Sequence, residues 1–380
     1  MSMRTTPGQP WFKLRWLIDP RRPRVDWLHA DEWVPSGSRH LYEWAKQGLE
    51  ATFETLEPGS TVLLPSYVPG GVTWAALTAG LDVRYYPVAK DLTLPTAEVA
   101  ERIRTVDPDA VQFVHYFGFV DESLDELVSV ARARSALVIE DCARGLFARD
   151  RQGRLLGSVG DVALYSLHKT LPVPDGGLLV SRREPLSKPR ASPAKLRSAA
   201  RHVVGSVLAR SPVSTGSDRQ IGRSAEQSVD AVAPARNRAE PGALTRRGLA
   251  RCDPDVVRSK RQGRYRALRE LLVDCDRVRV LSGDLHEGAC PFGVAALAGS
   301  AAERAEIFRA LRDADLPCEV LTWPPVHRHR AAREFTGARV LRSRLLVLPT
   351  HQQLSPAAIG RMAAHVSGES PPDTGSGADV

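Results

Sequence analysis

The chain has 380 residues, 43% of them hydrophobic, enough to bury one large core and a second smaller one. Its net charge of +8 invites a nucleic-acid partner, but twelve basic against four acidic residues fall between Lys188 and Ala250, a stretch rich in Ser, Pro, Gly and Ala. The excess therefore describes a basic linker, and without a helix-turn-helix or aromatic stacking signature no nucleic-acid partner is expected.

Residues 1–30 form an Arg-rich arm with no apolar targeting core, and no apolar run approaches the roughly 20 residues that span a bilayer. A cytoplasmic protein without a membrane partner is expected. From residue 31 to 183 helical patterns alternate with short apolar runs, the pattern of an α/β domain with a mainly parallel sheet. Strands are predicted at Thr61–Leu64, Val83–Tyr86, Ala110–His115, Ala136–Glu140, Val162–Ser166 and Gly177–Val180. Helices are predicted at Leu41–Leu56, Val72–Ala79, Ala97–Val106 and Ser123–Arg134. Residues 184–250 break the rhythm and read as a flexible basic insertion. Residues 251–366 read as a small α+β domain. Its helices are Pro254–Asp274, Ala301–Ala314 and Pro356–His365, and its strands Arg277–Leu281, Phe292–Ala296, Cys318–Leu321 and Leu345–Leu348. A Pro, Gly and Ser tail, 367–380, is expected to be disordered.

Five widely spaced cysteines, without a C-x-x-C pair, indicate neither a disulfide framework nor a metal site. The chemistry sits elsewhere. The run Ala136-Leu-Val-Ile-Glu140-Asp141 is an apolar strand ending in two carboxylates, and ligands of open α/β sheets bind outside the carboxyl ends of strands. Asp141 there either caps the following turn or faces a bound ring nitrogen, keeping it protonated as pyridoxal phosphate (PLP) chemistry requires. One βα unit later a strand delivers Ser166 and, three residues on, Lys169, ahead of Gly176-Gly177. A hydroxyl and an amine at that spacing can hold the phosphate and the aldehyde carbon of one small molecule. Serine acylases share Ser-x-x-Lys, but their companion motifs are missing. A third element, Pro35-Ser-Gly37-Ser38-Arg39, reads as a small turn opening a helix, which suits a phosphate or simply an N-cap.

In order and spacing these segments resemble the DegT/DnrJ/StrS family of PLP-dependent sugar aminotransferases, as a divergent member. The matching residues are Ser36-Gly37-Ser38, Leu64-Pro65-Ser66-Tyr67, His115-Tyr-Phe-Gly118, Glu140-Asp141 and Gly160-Asp161 through Ser166, Lys169 and Gly176-Gly177. Leu316–Pro325 and Leu348-Pro349-Thr-His351 are similar to later family segments.

The resemblance implies fold type I, with a large PLP-binding domain and a small C-terminal one, in a homodimer. It implies Lys169 as the Schiff-base residue and Asp141 as its catalytic companion. Gly37, Ser38, Tyr67, His115, Arg144 and Ser166 would complete the cofactor site. An amino acid donor and a keto sugar, nucleotide-linked by the family pattern, would be the substrates, with Arg39 and Arg144 near the mouth. The departures are a loop two residues short between Ser166 and Lys169, Arg144 in place of the usual Gln or His, and no counterpart of two family segments within 185–250. Family dehydratases carry His in place of the lysine, so the pair His168-Lys169 leaves a dehydratase or a non-catalytic binding module as alternatives.

Overall fold

The computed structural model describes residues 9–10, 25–183, 188–189, 238–281, 285–323 and 334–369. Most of the expected basic insertion and all but residues 367–369 of the expected tail lie outside them. Seven strands form the main sheet: β1 (Ser38–Tyr42), β2 (Thr61–Pro65), β3 (Asp82–Tyr86), β4 (Ala110–Val114), β5 (Leu137–Asp141), β6 (Val162–Ser166) and β7 (Gly177–Ser181). Their spatial order is β1-β7-β6-β5-β4-β2-β3, with β2 to β6 parallel and β7 antiparallel to both β6 and β1.

Near-continuous apolar runs in the central strands follow from burial on both faces. Period-two alternation divides them. Val62, Leu64, Ile139 and Leu164 join one core, under α1 (Ala45–Phe53) and α2 (Gly70–Thr78). Leu63, Val111, Phe113 and Val138 join the other, under α3 (Thr96–Val106) and α4 (Leu124–Arg132). A one-turn helix, α5 (Leu167–Thr170), follows β6.

Beyond the insertion come α6 (Ala243–Leu249), α7 (Pro254–Leu272), β8 (Val278–Val280), β9 (Gly293–Ala298), α8 (Ala301–Asp313), α9 (Thr336–Arg344), β10 (Leu345–Pro349) and α10 (Pro356–Ser367). β8, β9 and β10 make a second, antiparallel sheet with β9 central. At the starts of α7, α8 and α10 the N-cap side chains of Asp253, Ser300 and Ser355 each accept a backbone N–H of the first turn.

Three segments differ from the sequence reading. The helix expected over 41–56 is a strand followed by a helix, because residues 38–42 pair with β7 and close the sheet edge. Residues 243–249, expected within a flexible insertion, form α6. Thr245 and Leu249 there are buried, and Leu249 offers its carbonyl to Trp27 Nε1 at 2.8 Å. That bond also draws residue 27 of the expected arm into the core, where its ring meets Phe147 edge-on at 4.9 Å. The strand expected at 318–321 is reduced to one bridge, Glu319 to Val347.

Candidate active site

The parallel strands β4, β5 and β6 end on one edge at Val114, Asp141 and Ser166, and the antiparallel partners bring Gly177 and Tyr42 to the same edge. Lys169 follows on α5, whose turn is fixed at both ends. Leu167 donates its N–H to Gly176 O (2.9 Å), while Thr170 O accepts from Arg261 Nη2 (3.1 Å) and Gln352 Nε2 (3.0 Å). Lys169, Asp141, Arg144, His115, Phe117 and Trp323 border one cavity of about 30 Å³.

Burial, and after it neighbouring Arg144, pull the Lys169 amine down to about 7 against the opposing pull of Asp141 and Glu319. A lysine so placed is substantially a free amine near neutral pH. His168 points elsewhere: its Nδ1 lies 3.3 Å from Ser166 Oγ and its ring meets Trp44 edge-on at 5.2 Å. Of the adjacent pair, Lys169 is the one in the cavity.

The two carboxylates of β5 face opposite ways, as alternation requires. Asp141 Oδ1 accepts Ala143 N–H (2.9 Å) and Oδ2 accepts Gln112 Nε2 (3.2 Å), so it caps its turn and also borders the lysine cavity. Glu140 is buried and lies 2.7 Å from His115 Nε2, accepting also the N–H groups of Gly157, Val159 and Gly160. Desolvation would raise its carboxyl, but these hydrogen bonds outweigh it and hold the group below its ordinary range. His115, Glu140 and Cys142 bring ligand atoms within 4.8 Å of one another. Glu140's oxygens are already occupied, and burial and its acidic neighbours push the Cys142 thiol well up, so the trio reads as structural.

Three expected site residues stand elsewhere. Gly37 and Ser38 lie at the opposite edge of the sheet: Ser38 pairs with Ser181, which pairs with Val162 at the start of β6. Four residues at about 3.3 Å each separate that edge from Ser166, too far to share a phosphate with it. Arg39, beside them, donates to Leu28 O, Val34 O and Pro35 O on that far side, not at the cavity mouth. The helix start that does adjoin Ser166 is that of α1, where Trp44 N–H is capped by Gln47 Oε1 at 3.1 Å. Gly177 makes this approach possible. A Cβ on it would meet Ala45 N at 2.2 Å and Trp44 C at 2.5 Å, so Gly177→Ala is expected to destabilise the fold by about 1–3 kcal/mol, read as a lower urea midpoint at unchanged slope.

Tyr67 is the third. It donates to Leu321 O (2.7 Å) and packs its ring against Trp323 at 4.6 Å, one layer behind the cavity. The aromatic rings on the cavity itself are Tyr116, Phe117 and Trp323. Arg144 is at the cavity as expected, its Nη2 3.1 Å from Glu319 Oε2. Sequence reasoning missed Glu319, Trp323, Gln112 and Arg261. Gln112 carried a signal, being the polar residue inside an apolar strand; Arg261 carried none, since an arginine on an amphipathic charged helix reads as solvated.

The residues present fit PLP. A depressed lysine amine and a carboxylate border one cavity, Ser166 stands at the next strand end, and two buried polar atoms, Arg144 Nε and Gln112 Oε1, have no partner among the described residues. About 30 Å³ is room for roughly one water, so a ring-sized ligand requires Arg144 and Trp323 to yield. A second cavity of about 630 Å³ shares the wall of Val114, Tyr116 and Phe117 and has the size of a small-molecule cleft.

Several known proteins are similar to this chain. Protein MosB of Rhizobium meliloti is 32% identical over 136 residues, 35% of this chain and 26% of that protein. L-glutamine:2-deoxy-scyllo-inosose aminotransferase of Streptoalloteichus tenebrarius is 34% identical over 138 residues, 34% of this chain and 31% of that protein. The alignments thus span about a quarter to a third of these relatives' own lengths. Over the whole fold, the aminotransferase TlmJ from Streptoalloteichus hindustanus superposes with a TM-score of 0.62 at 21% identity, covering 95% of this chain and 92% of its own. The fold is that of the type I PLP-dependent transferases. The profile of the DegT/DnrJ/EryC1/StrS aminotransferase family matches residues 46–202. This segment, which holds the strand ends that carry Asp141, Ser166 and Lys169, is similar to the DegT/DnrJ/EryC1/StrS aminotransferases.

Proposed function

We propose that this chain is a PLP-dependent aminotransferase that converts a keto sugar, nucleotide-linked or a related cyclitol, into an amino sugar with an amino acid as donor. The observation that carries the reading is the Lys169 amine, drawn down to about 7, in one cavity with the Asp141 carboxylate at the neighbouring strand end. Bound there, PLP supplies an electron sink for the substrate carbon. Lys169 would hold the cofactor through its amine, and the same amine would carry the proton to and from the reacting carbon. Asp141, whose carboxylate is fixed by Gln112 Nε2, would face the ring nitrogen and keep it protonated. Ser166 and the start of α1 hold the phosphate end, and His115, locked to Glu140, forms part of the wall.

Borohydride reduction tests this: a visible absorbance band should vanish and the mass of the cofactor should appear on the Lys169 peptide. Absence of both would refute the reading. Asp141→Asn is expected to lower kcat by about a hundredfold or more while cofactor content stays near that of the wild type. An unchanged kcat would remove Asp141 from its role. A dehydratase employing His168 is disfavoured, since that ring is engaged by Ser166 and Trp44.

The family resemblance supports a homodimer with cofactors near the subunit boundary, and a stable, active monomer in light scattering would contradict it. No helix among the described residues is long and apolar enough to cross a membrane.

A further inference from the structure

Arg144 and Glu319 form an ion pair that no step above uses. Arg144 follows β5, whereas Glu319 is held against β10 by two backbone hydrogen bonds of 2.9 Å with Val347. Their side chains are only 11% and 15% exposed, and both act electrostatically on Lys169. The guanidinium lies over the rings of Phe292 (4.9 Å) and Trp323 (5.5 Å), where little water competes. Its Nε is buried without a partner among the described residues, so the planar fork is only half used.

An amino donor brings a carboxylate to within one carbon of the amine that must reach the Lys169 position, whereas a keto sugar brings none there. Among the described residues, Arg144 is the arginine on that cavity beside Lys169. We propose that Arg144 receives the α-carboxylate of the amino donor in a forked pair, and that Glu319 is the carboxylate it exchanges, returning to Arg144 when the keto substrate occupies the site. One anion replaces another, so Arg144 is never left buried and unpaired. The inference rests on the aminotransferase reading and adds the residue that selects the donor.

Succinate, a non-reacting dicarboxylate, titrated calorimetrically into the borohydride-reduced full chain, is the direct probe. Arg144→Gln is expected to weaken succinate about 10- to 100-fold and to raise the L-glutamate concentration for half-maximal conversion similarly. Hydroxylamine, which has no carboxylate, reports any general damage to the cofactor site, and its reaction should change far less than succinate binding does. Glu319→Gln removes the internal competitor and should tighten succinate about 5- to 10-fold. Arg144→Lys should recover part of the affinity, by charge without the fork. Succinate binding unchanged in Arg144→Gln, an equal loss with hydroxylamine, or weakened pyrophosphate binding in place of succinate would each overturn the proposal. If borohydride fails to label Lys169, the aminotransferase reading falls and this proposal with it; labelling with unaltered succinate affinity removes this proposal alone.

Discussion

Lys169→Met is expected to stop the reaction and, in the cofactor-free chain, to make the protein more stable. Turnover should fall by at least about a thousandfold, because the group that holds the cofactor and moves the proton is gone. The stability gain comes from the same residue. Folding lowers the amine from its ordinary 10.5 to about 7, so between those values the unfolded chain binds one proton more than the folded one. Stability therefore rises with pH across that window, and the cost of confining the charged amine is carried in full below about pH 7. Methionine has similar bulk and no charge, and at about pH 6 it should stabilise the chain by about 2–4 kcal/mol, with the difference fading towards about pH 10. Urea unfolding of both proteins across that range measures it. A methionine variant no more stable than wild type at about pH 6 would mean the amine is well solvated, and the neutral-pH nucleophile would be lost with it.

Arg261→Ala should give the largest loss of stability from outside the cavity. The side chain is 1% exposed and donates to Pro291 O (3.2 Å), Phe292 O (3.3 Å) and Thr170 O (3.1 Å). Each carbonyl keeps a second donor: Thr350 Oγ1 for Pro291, Thr350 N–H for Phe292 and Gln352 Nε2 for Thr170. The loss is therefore that of charge-assisted hydrogen bonds plus a cavity, about 2–4 kcal/mol, rather than the larger cost of three orphaned oxygens. Because Arg261 and Gln352 share Thr170 O, Arg261→Ala combined with Gln352→Ala should cost more than the sum of the two. Strict additivity in the urea midpoints would show that the turn bearing Lys169 does not depend on this clamp.

The central strands and the residues at their ends were legible because each strand is a short apolar run bounded by turn residues, and chemistry in such sheets gathers at one edge. Val162–Ser166 was placed to the residue, Asp141 and Lys169 were paired from their places at strand ends, and Arg144 came in only through the family resemblance; one cavity borders all three. Ser38 failed for a physical reason: five residues, Ser38 to Tyr42, can continue a helical pattern or extend an edge strand, and the decision was made by β7, far along the chain. Tyr67 failed by one layer of packing, since its neighbours in sequence do not reveal that Trp323 covers its face. Glu319 and Arg261 were beyond reach because their partners lie 175 and up to 91 residues away.

The clamp on Thr170 is one of several crossings between the two sheets' surroundings. Phe292 N–H reaches Phe117 O at 2.8 Å, and Arg149 N–H reaches Gly288 O at 2.8 Å. Cβ on Gly118 would sit 2.6 Å from Cys290 O, so the chains touch there with no space for a side chain. Such a seam resists rotation of one lobe against the other. The shortest way to admit a ligand is then to turn the Trp323 ring and the Arg144 guanidinium, movements of rotamer scale rather than swings of a whole lobe. Admission of a ligand would then be governed by the Arg144–Glu319 ion pair and the Trp323 ring rather than by the hinge of the lobes.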